Sequence, residues 1–348
     1  MDLNTLNRYY EEGWLIKQTH PELPLTIWNY SQSTQFERKW DEITLQCRGL
    51  VTDDEGNVVA RPFRKFFNIE EGRHNSTKDF RVYEKMDGSL IIAFYYNDEF
   101  VVASRGSFTS DQAEAARLIF DKLKTIPLPR EYTYMFEFTA PWNRIVVDYG
   151  RGERLTLLGI QNTETGEELP MGMVVEVLNS FYPALEKPFL EVKEYDNVDD
   201  YSVLKNLVKD NQEGFVIHFS NGDRCKIKGE EYIRLHGIMT NASTTSVWEV
   251  LKNQDSMEQY LQEVPDEFYE KIKTYKQSLE DEYWEIASKV KSIFNTIYED
   301  GMSAREFSTE VRYLDKAYQG LLWSQFNVKM INYSETIWNH IRPEFRKL

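Results

Sequence analysis

The sequence predicts an α+β protein: a domain of antiparallel sheets with helices over residues 1–240, then an all-α domain over 241–348. Three observations carry this reading. Segments rich in aromatic and β-branched residues recur through the first two thirds of the chain, as in sheets. A Ser/Thr-rich segment, NASTTS at 241–246, interrupts them. Beyond it, apolar residues recur every three or four positions, the period of a helix with one buried face.

GLVTDDEGNVVARPF (49–63) reads as a hairpin turning at Glu55-Gly56-Asn57. In YEKMDGSLIIAFYY (83–96), Asp87-Gly88 is a turn dipeptide, which places Lys85 at the mouth of an apolar hairpin. LIIAFYY (90–96) and FVVAS (100–104) flank a second short connection, Asn97-Asp98-Glu99. SDQAEAARLIFDKLK (110–124) is a helix with Ala115, Leu118, Ile119 and Leu123 on one face. YTYMFEF (132–138), RLTLLGIQ (154–161) and GFVIHF (214–219) have strand composition. In the tail, Pro265 opens a helix at its first turn, with Asp266 and Glu267 near the positive dipole end. Phe268, Ile272, Tyr275, Leu279, Tyr283, Ile286, Val290, Ile293 and Ile297 then form a core-facing stripe along roughly 30 residues, about 45 Å. Ser303-Ala304-Arg305-Glu306 is a capping-box pattern for a further helix through about Leu322.

Composition bounds the function. With 41% hydrophobic and 28% charged residues the chain has ample core for a globular protein. It has no apolar run long enough for a membrane span and no signal-peptide core in MDLNTLNRYYEEGW. Two cysteines are too few for a disulfide framework, so a reducing, cytoplasmic setting is expected, with Cys47 and Cys225 as buried, inert thiols. Five scattered histidines without Cys pairs argue against structural zinc, and His74, His218 and His236 are read as structural. The net charge of −16 argues against a generic nucleic-acid binder. Of 41 basic and 57 acidic residues, 28 and 39 precede the division at residue 240, leaving 13 and 18 after it. Neither part is basic, so any polyanion has to be gripped by a few placed cations.

Candidate cations recur inside apolar strands. CRGLV (47–51), RKFFN (64–68), Lys85, SRGS (104–107), MFEFTAPWNRIVV (135–147), EGFVI (213–217) and CKIK (225–228) each set charge within or beside sheet sequence. A buried charge costs several kcal/mol unless a partner or ligand meets it, so a shared cleft is expected. Arg48, Lys65, Lys85, Arg105, Lys226 and Lys228 against Glu137 and Glu213 make that cleft electropositive, suited to a nucleoside triphosphate with a divalent cation. Crowded cations and burial favour the neutral amine of Lys85, the form able to attack phosphorus. Lys226 and Lys228, two apart on a strand, share a face and can stabilise charge on one phosphate.

The ordered set Arg-Gly, K-x-F-N, K-x-D-G-S-L, S-x-G-S, F-E-F, E-G-F-V and K-x-K resembles the covalent nucleotidyltransferases, whose domain is an ATP-grasp-like ligase fold. Within them it resembles most the T4-like RNA ligase 1 family of bacteriophages, through F-E-F-x-A-P-x-N-R-I-V (136–146) and K-F-F-N (65–68). The resemblance implies an ATP-dependent ligase. Lys85 attacks the α-phosphate of ATP, AMP passes to an RNA 5′-phosphate, and an RNA 3′-hydroxyl then displaces AMP. It implies that Arg48 and Lys65 hold the β/γ-phosphates or the RNA 5′-phosphate, and that Phe67 lines the nucleotide pocket. Glu137 accepts from ribose hydroxyls, Glu213 helps hold Mg²⁺ or Mn²⁺, Lys226 and Lys228 bind the α-phosphate, and Asp87 orients the lysine or the metal. Glu84, Gly88 and Arg105 complete the nucleotide-binding set; Arg105 stands where lysine is usual. Repair of tRNA cut in the anticodon loop, by a monomer whose helical tail selects RNA, is the implied role. Two alternatives stay open: another lysyl-nucleotidyltransferase, a DNA ligase or capping enzyme, or a catalytically silent RNA-binding protein. The former usually append an OB-fold barrel, where residues 247–348 read as helices.

Overall fold

The computed structural model describes residues 2–123, 125–182, 187–239, 242–262, 264, 268–327 and 330–346. The chain forms two compact units, Met1–His236 and Gly237–Leu348. The first is mixed α+β, built on antiparallel sheets, and the second is helical.

Three sheets make up the first unit. One contains β1 (Leu15–Thr19), β2 (Leu25–Tyr30), β3 (Arg48–Asp53) and β4 (Val58–Ala60), antiparallel in chain order. A smaller sheet contains β5 (Phe67–Asn68), β6 (Phe80–Lys85), β13 (Gly214–Phe219) and β14 (Arg224–Lys228), in the order β5-β14-β13-β6. Between them in sequence lie the strands of the central sheet: β7 (Ser89–Tyr96), β8 (Glu99–Ser104), β9 (Tyr132–Thr139), β10 (Arg154–Asn162), β11 (Glu168–Leu169) and β12 (Phe189–Glu191). Its path is β11-β10-β9-β7-β8, and β12 runs parallel to β10.

The central sheet buries both faces, as the alternation of side chains along a strand requires. Leu90, Ile92 and Phe94 pack with Val101 and Ala103 against Leu25, Ile27 and Val51 of the first sheet. Ile91, Ala93, Phe136 and Phe138 face the other way, toward the helix Asp111–Asp121. Phe120 of that helix meets Phe136 and Phe189 at ring distances of 5.6 and 5.2 Å. Burying such a ring contributes about 1.5–3 kcal/mol, so this aromatic contact sets the helix's rotation. The buried face is therefore Ala113, Ala116, Ile119 and Phe120, and the expected Leu118 points outward at 53% exposure.

Two further expectations are corrected. Lys85 does not stand at the mouth of a hairpin, because β6 pairs with β13 in the small sheet while β7 pairs with β8 and β9 in the central one. Met86-Asp87-Gly88 is a crossover between two sheets. The β7–β8 turn is Asn97-Asp98 alone, with Asn97 left-handed at φ 52° and Glu99 already paired with Tyr96. The 49–63 hairpin forms as β3 and β4, its turn closed by Asp53 accepting from the Glu55 and Asn57 amides. β1 and β2 form where no strand was assigned from the sequence.

In the second unit the long helix spans Tyr269–Ile297 and buries Ile272, Leu279, Ile286 and Val290. Pro265, Asp266 and Glu267 lie outside the described residues. Ser303 and Glu306 make the reciprocal capping box, but that helix ends at Val311 instead of running to Leu322. A new helix begins at Lys316, and the Gln319 side-chain Nε2 donates to the Leu314 carbonyl in the break. Trp248 donates to the Trp338 carbonyl, and Tyr283 stacks on Trp338 at 4.9 Å. No helix among the described residues is long and apolar enough to cross a membrane.

Candidate active site

The register of the small sheet explains how its charges converge. Gly214 on the middle strand β13 lies opposite Lys85 of β6 on one side and Lys228 of β14 on the other. The preceding residue, Glu213, therefore presents its carboxylate between both amines. Its Oε1 is 2.7 Å from Lys85 Nζ and 3.4 Å from Lys228 Nζ. Glu213 is 3% exposed, and Lys226 and Lys228 are 8% exposed. Only glycine fits at 214: φ is +152°, and a Cβ would lie 1.9 Å from the Ile227 carbonyl oxygen. Lys226 shares the face of Lys228 two residues along, opposite Val216. Crowding by cations was expected to act on Lys85, with Glu137 and Glu213 in the same cleft; the structure sets the Glu213 carboxylate directly between Lys85 and Lys228.

The central sheet supplies Glu137, in β9. Its Oε1 accepts the Gly88 amide at 3.1 Å, an approach possible because a Cβ on Gly88 would meet the Phe138 carbonyl at 2.3 Å. Burial pushes the Glu137 carboxyl up to about 7. Lys85 and Arg48 pull it down, while the negative charges of Glu213 and Asp87 add to the rise.

Asp87 is 3% exposed, and both its oxygens are occupied. Oδ2 accepts the Val146 and Val147 amides, each at 2.8 Å, and Oδ1 accepts the Tyr232 hydroxyl at 2.7 Å. Its own amide donates to the Tyr149 hydroxyl at 2.8 Å. This carboxylate braces the crossover that follows Lys85. Asn143 extends the brace, donating to Ser89 Oγ and to the Phe138 carbonyl. Tyr149, Tyr232 and Asn143 were not singled out from the sequence. Tyr149 and Asn143 lie in or just past the F-E-F-x-A-P-x-N-R-I-V stretch and Tyr232 follows Lys228 by four, but their meeting at residues 87–89 is a long-range event.

The first sheet contributes Arg48, at the start of β3, its guanidinium 5.6 Å above the Phe66 ring. Lys65, Arg105, Glu84 and Phe67 line the same cleft as Lys85, Gly88 and Glu137. Phe67 is 6% exposed and edge-on to Trp40, a wall of the cleft more than an open stacking face. The cleft encloses about 1500 Å³, above the 300–1000 Å³ usual for a small-molecule site, so it has room for more than one nucleotide. Elsewhere along it, Arg224 of β14 forks onto both oxygens of Glu168 in β11, with its guanidinium 4.2 Å from the Phe63 ring. Cys47 and Cys225 are buried, and burial pushes both thiols up, away from the reactive thiolate.

Residues 46–232, more than half of the chain, match the family model described as RNA ligase. The chain belongs to the RNA ligase family, of the T4 RNA ligase 1 type. A protein of Autographa californica nuclear polyhedrosis virus, described as a bifunctional polynucleotide kinase/RNA ligase, is 32% identical over 63% of this chain and 34% of its own length. A protein of Thermovibrio ammonificans described as an RNA ligase is 27% identical over 56% of this chain and 54% of its own. The chain thus spans about a third of the first relative and about half of the second. Among solved structures, the Naegleria gruberi RNA ligase with PPi overlaps 46% of this chain and 52% of its own, at 18% identity and a TM-score of 0.38.

Proposed function

We propose that the chain is an ATP-dependent RNA ligase that joins RNA 5′-phosphate and 3′-hydroxyl ends through lysyl-AMP and adenylylated RNA. The observation that carries this reading is Lys85, which lines a cleft wide enough for a triphosphate and is backed by the Glu213 carboxylate held between it and Lys228. In the first step Lys85 Nζ forms a bond to the α-phosphorus while the bond to pyrophosphate breaks, and Glu213 Oε1 is placed to take the amine's proton. Lys226 and Lys228 stabilise the charge growing on the α-phosphate. Arg48 and Lys65 hold the outgoing phosphates, Glu137 accepts from the ribose, and Asp87 keeps the crossover in place. In the second step the RNA 5′-phosphate oxygen takes AMP and the P–N bond breaks. In the third the 3′-hydroxyl attacks the 5′-phosphorus and AMP leaves.

Among the described residues no group of three or more acidic, His or Cys side chains could hold a metal by itself, so a divalent cation would come in on the phosphates. Glu213 and Asp87 crowd Glu137 with negative charge, which a cation brought in on the phosphates would relieve. Glu213 would meet it, as Mg²⁺ or Mn²⁺; Asp87 has both oxygens engaged. Such an ion supplies neutralisation of phosphate charge. We assign the helical unit to RNA selection and the biological role to repair of broken RNA, including tRNA cut in the anticodon loop. A cytoplasmic monomer, in an infected bacterial host if phage-encoded, completes the reading.

The test is incubation with Mg²⁺ and ATP labelled at the α-phosphate, followed by denaturing separation beside Lys85→Ala. Label on the wild type alone is expected. Label with GTP in place of ATP would move the chain to capping chemistry. Folded, AMP-free protein that takes label from neither would leave a nucleotide-binding fold without catalysis. Joining of 5′-phosphorylated RNA over DNA then separates RNA ligase from DNA ligase.

A further inference from the structure

Lys65 is held by aromatic rings. Its ammonium lies 5.4 Å from the Tyr30 ring centroid, 5.4 Å from Trp40 and 5.3 Å from Phe67. The rings support one another edge-on, Tyr30 to Trp40 at 5.0 Å and Trp40 to Phe67 at 5.2 Å, each at 80°. Trp40 is the ring common to both contacts. Two more cations use the outer rings, Arg105 at 5.7 Å from Tyr30 and Arg73 at 5.4 Å from Phe67. Lys65, Phe67, Arg73 and Arg105 line the cleft that holds Lys85, with Trp40 and Tyr30 packed behind them.

The cage is a built feature. Trp40 directly precedes the capped helix Glu42–Gln46, whose Asp41 accepts the Ile43 and Thr44 amides and the Tyr9 hydroxyl. The Lys65 backbone is fixed by its amide donating to the Leu45 carbonyl at 2.8 Å, at the last turn of the same helix. One short helix therefore carries the ring at one end and anchors the lysine at the other.

A ring face attracts an ammonium without adding a negative charge. A lysine steadied by ring faces loses less freedom on meeting an incoming anion. We infer that Trp40 is a positioning residue: it preorganises Lys65 for the phosphates that leave as pyrophosphate, and so sets ATP and pyrophosphate affinity, not the rate of the chemical step. This rests on the reading of Lys65 as a phosphate ligand.

The test compares Trp40→Phe, which keeps a ring face, with Trp40→Leu, which fills space without one. Self-adenylylation is followed against ATP concentration, and discharge of the AMP-bound protein against pyrophosphate concentration, with melting temperature recorded for each. Trp40→Leu is expected to raise the KM for ATP and the half-saturating pyrophosphate by the same factor, about fivefold or more, with kcat within twofold; that factor is about 1 kcal/mol, a single partly desolvated cation–π contact. Trp40→Phe is expected to stay within twofold of wild type in both. Trp40→Leu with unmoved KM, or with kcat and melting temperature falling while KM holds, overturns the inference. So does a Phe variant as impaired as Leu. A wild type that takes no label would instead overturn the ligase reading itself.

Discussion

Replacing Glu137 by glutamine tests the cost of a partly buried acid. In the folded protein burial pushes this carboxyl from 4.5 to about 7, and at 1.36 kcal/mol per pK unit that is about 3 kcal/mol. Between those two values the folded protein keeps a proton on Glu137 that the unfolded chain has released. Stability therefore falls as pH rises from 4.5 to 7, and the loss is complete above about 7. Glutamine still offers the oxygen that accepts the Gly88 amide, and it does not ionise. The variant should exceed wild type in stability by about 1 kcal/mol at pH 5 and by about 3 kcal/mol at pH 8. Urea unfolding followed by tryptophan fluorescence at both pH values reads this directly, and taking the difference cancels the pH response of groups that do not interact with Glu137. An equal difference at pH 5 and pH 8 would refute the argument, because it would mean that Glu137 ionises alike in both states. Self-adenylylation by the same variant should be impaired at pH 8 despite the added stability, since a neutral amide replaces the carboxylate assigned to the ribose.

Two other perturbations probe the framework. Gly214→Ala forces a Cβ onto the Ile227 carbonyl at positive φ, and should cost about 3 kcal/mol and lower the melting temperature by about 6–12 °C; a change below 2 °C would count against the register argument. A chain ending at Met239 should still label itself from ATP, because every cleft residue precedes it; soluble, folded but inert protein would show that the division of labour between the units is misjudged. Thr244 donates from its amide to the Arg346 carbonyl and so belongs with the tail.

The meeting of Lys85, Glu213 and Lys228 was legible because each stands in or beside one strand of a short, ordered motif. Lys226 and Lys228 needed only the two-residue period to share a face, and Glu213-Gly214 only its place before an apolar run. What joins those motifs was less legible. Asp87-Gly88 has the composition of a hairpin turn, and nothing local says that the strands on either side enter different sheets. Tyr232 reaches Asp87 across 145 positions and Tyr149 across 62, separations that no periodicity encodes. On the helix Asp111–Asp121 and just past its end, Ile119 and Leu123 are buried as read and Leu118 is not, because Leu118 and Phe120 both look like core and only the facing rings of Phe136 and Phe189 choose between them. Its N-cap was a local matter: Ser110 accepts the Ala113 amide. Likewise Trp40 sits in ERKWDE, polar surroundings that give no hint of a cage.

The three-residue crossover after Lys85 has a mechanical side. From Lys85 to Ser89 the backbone spans at most about 14 Å when fully extended, and its middle is tied down by Asp87 and Gly88. Two sheets are thus moored to each other by a rope with no slack, and the lysine is the knot. A ligand that drew the small sheet toward the central one, or wedged them apart, would move that knot before it moved anything else. The same tautness makes this the least forgiving stretch of the chain for an inserted residue.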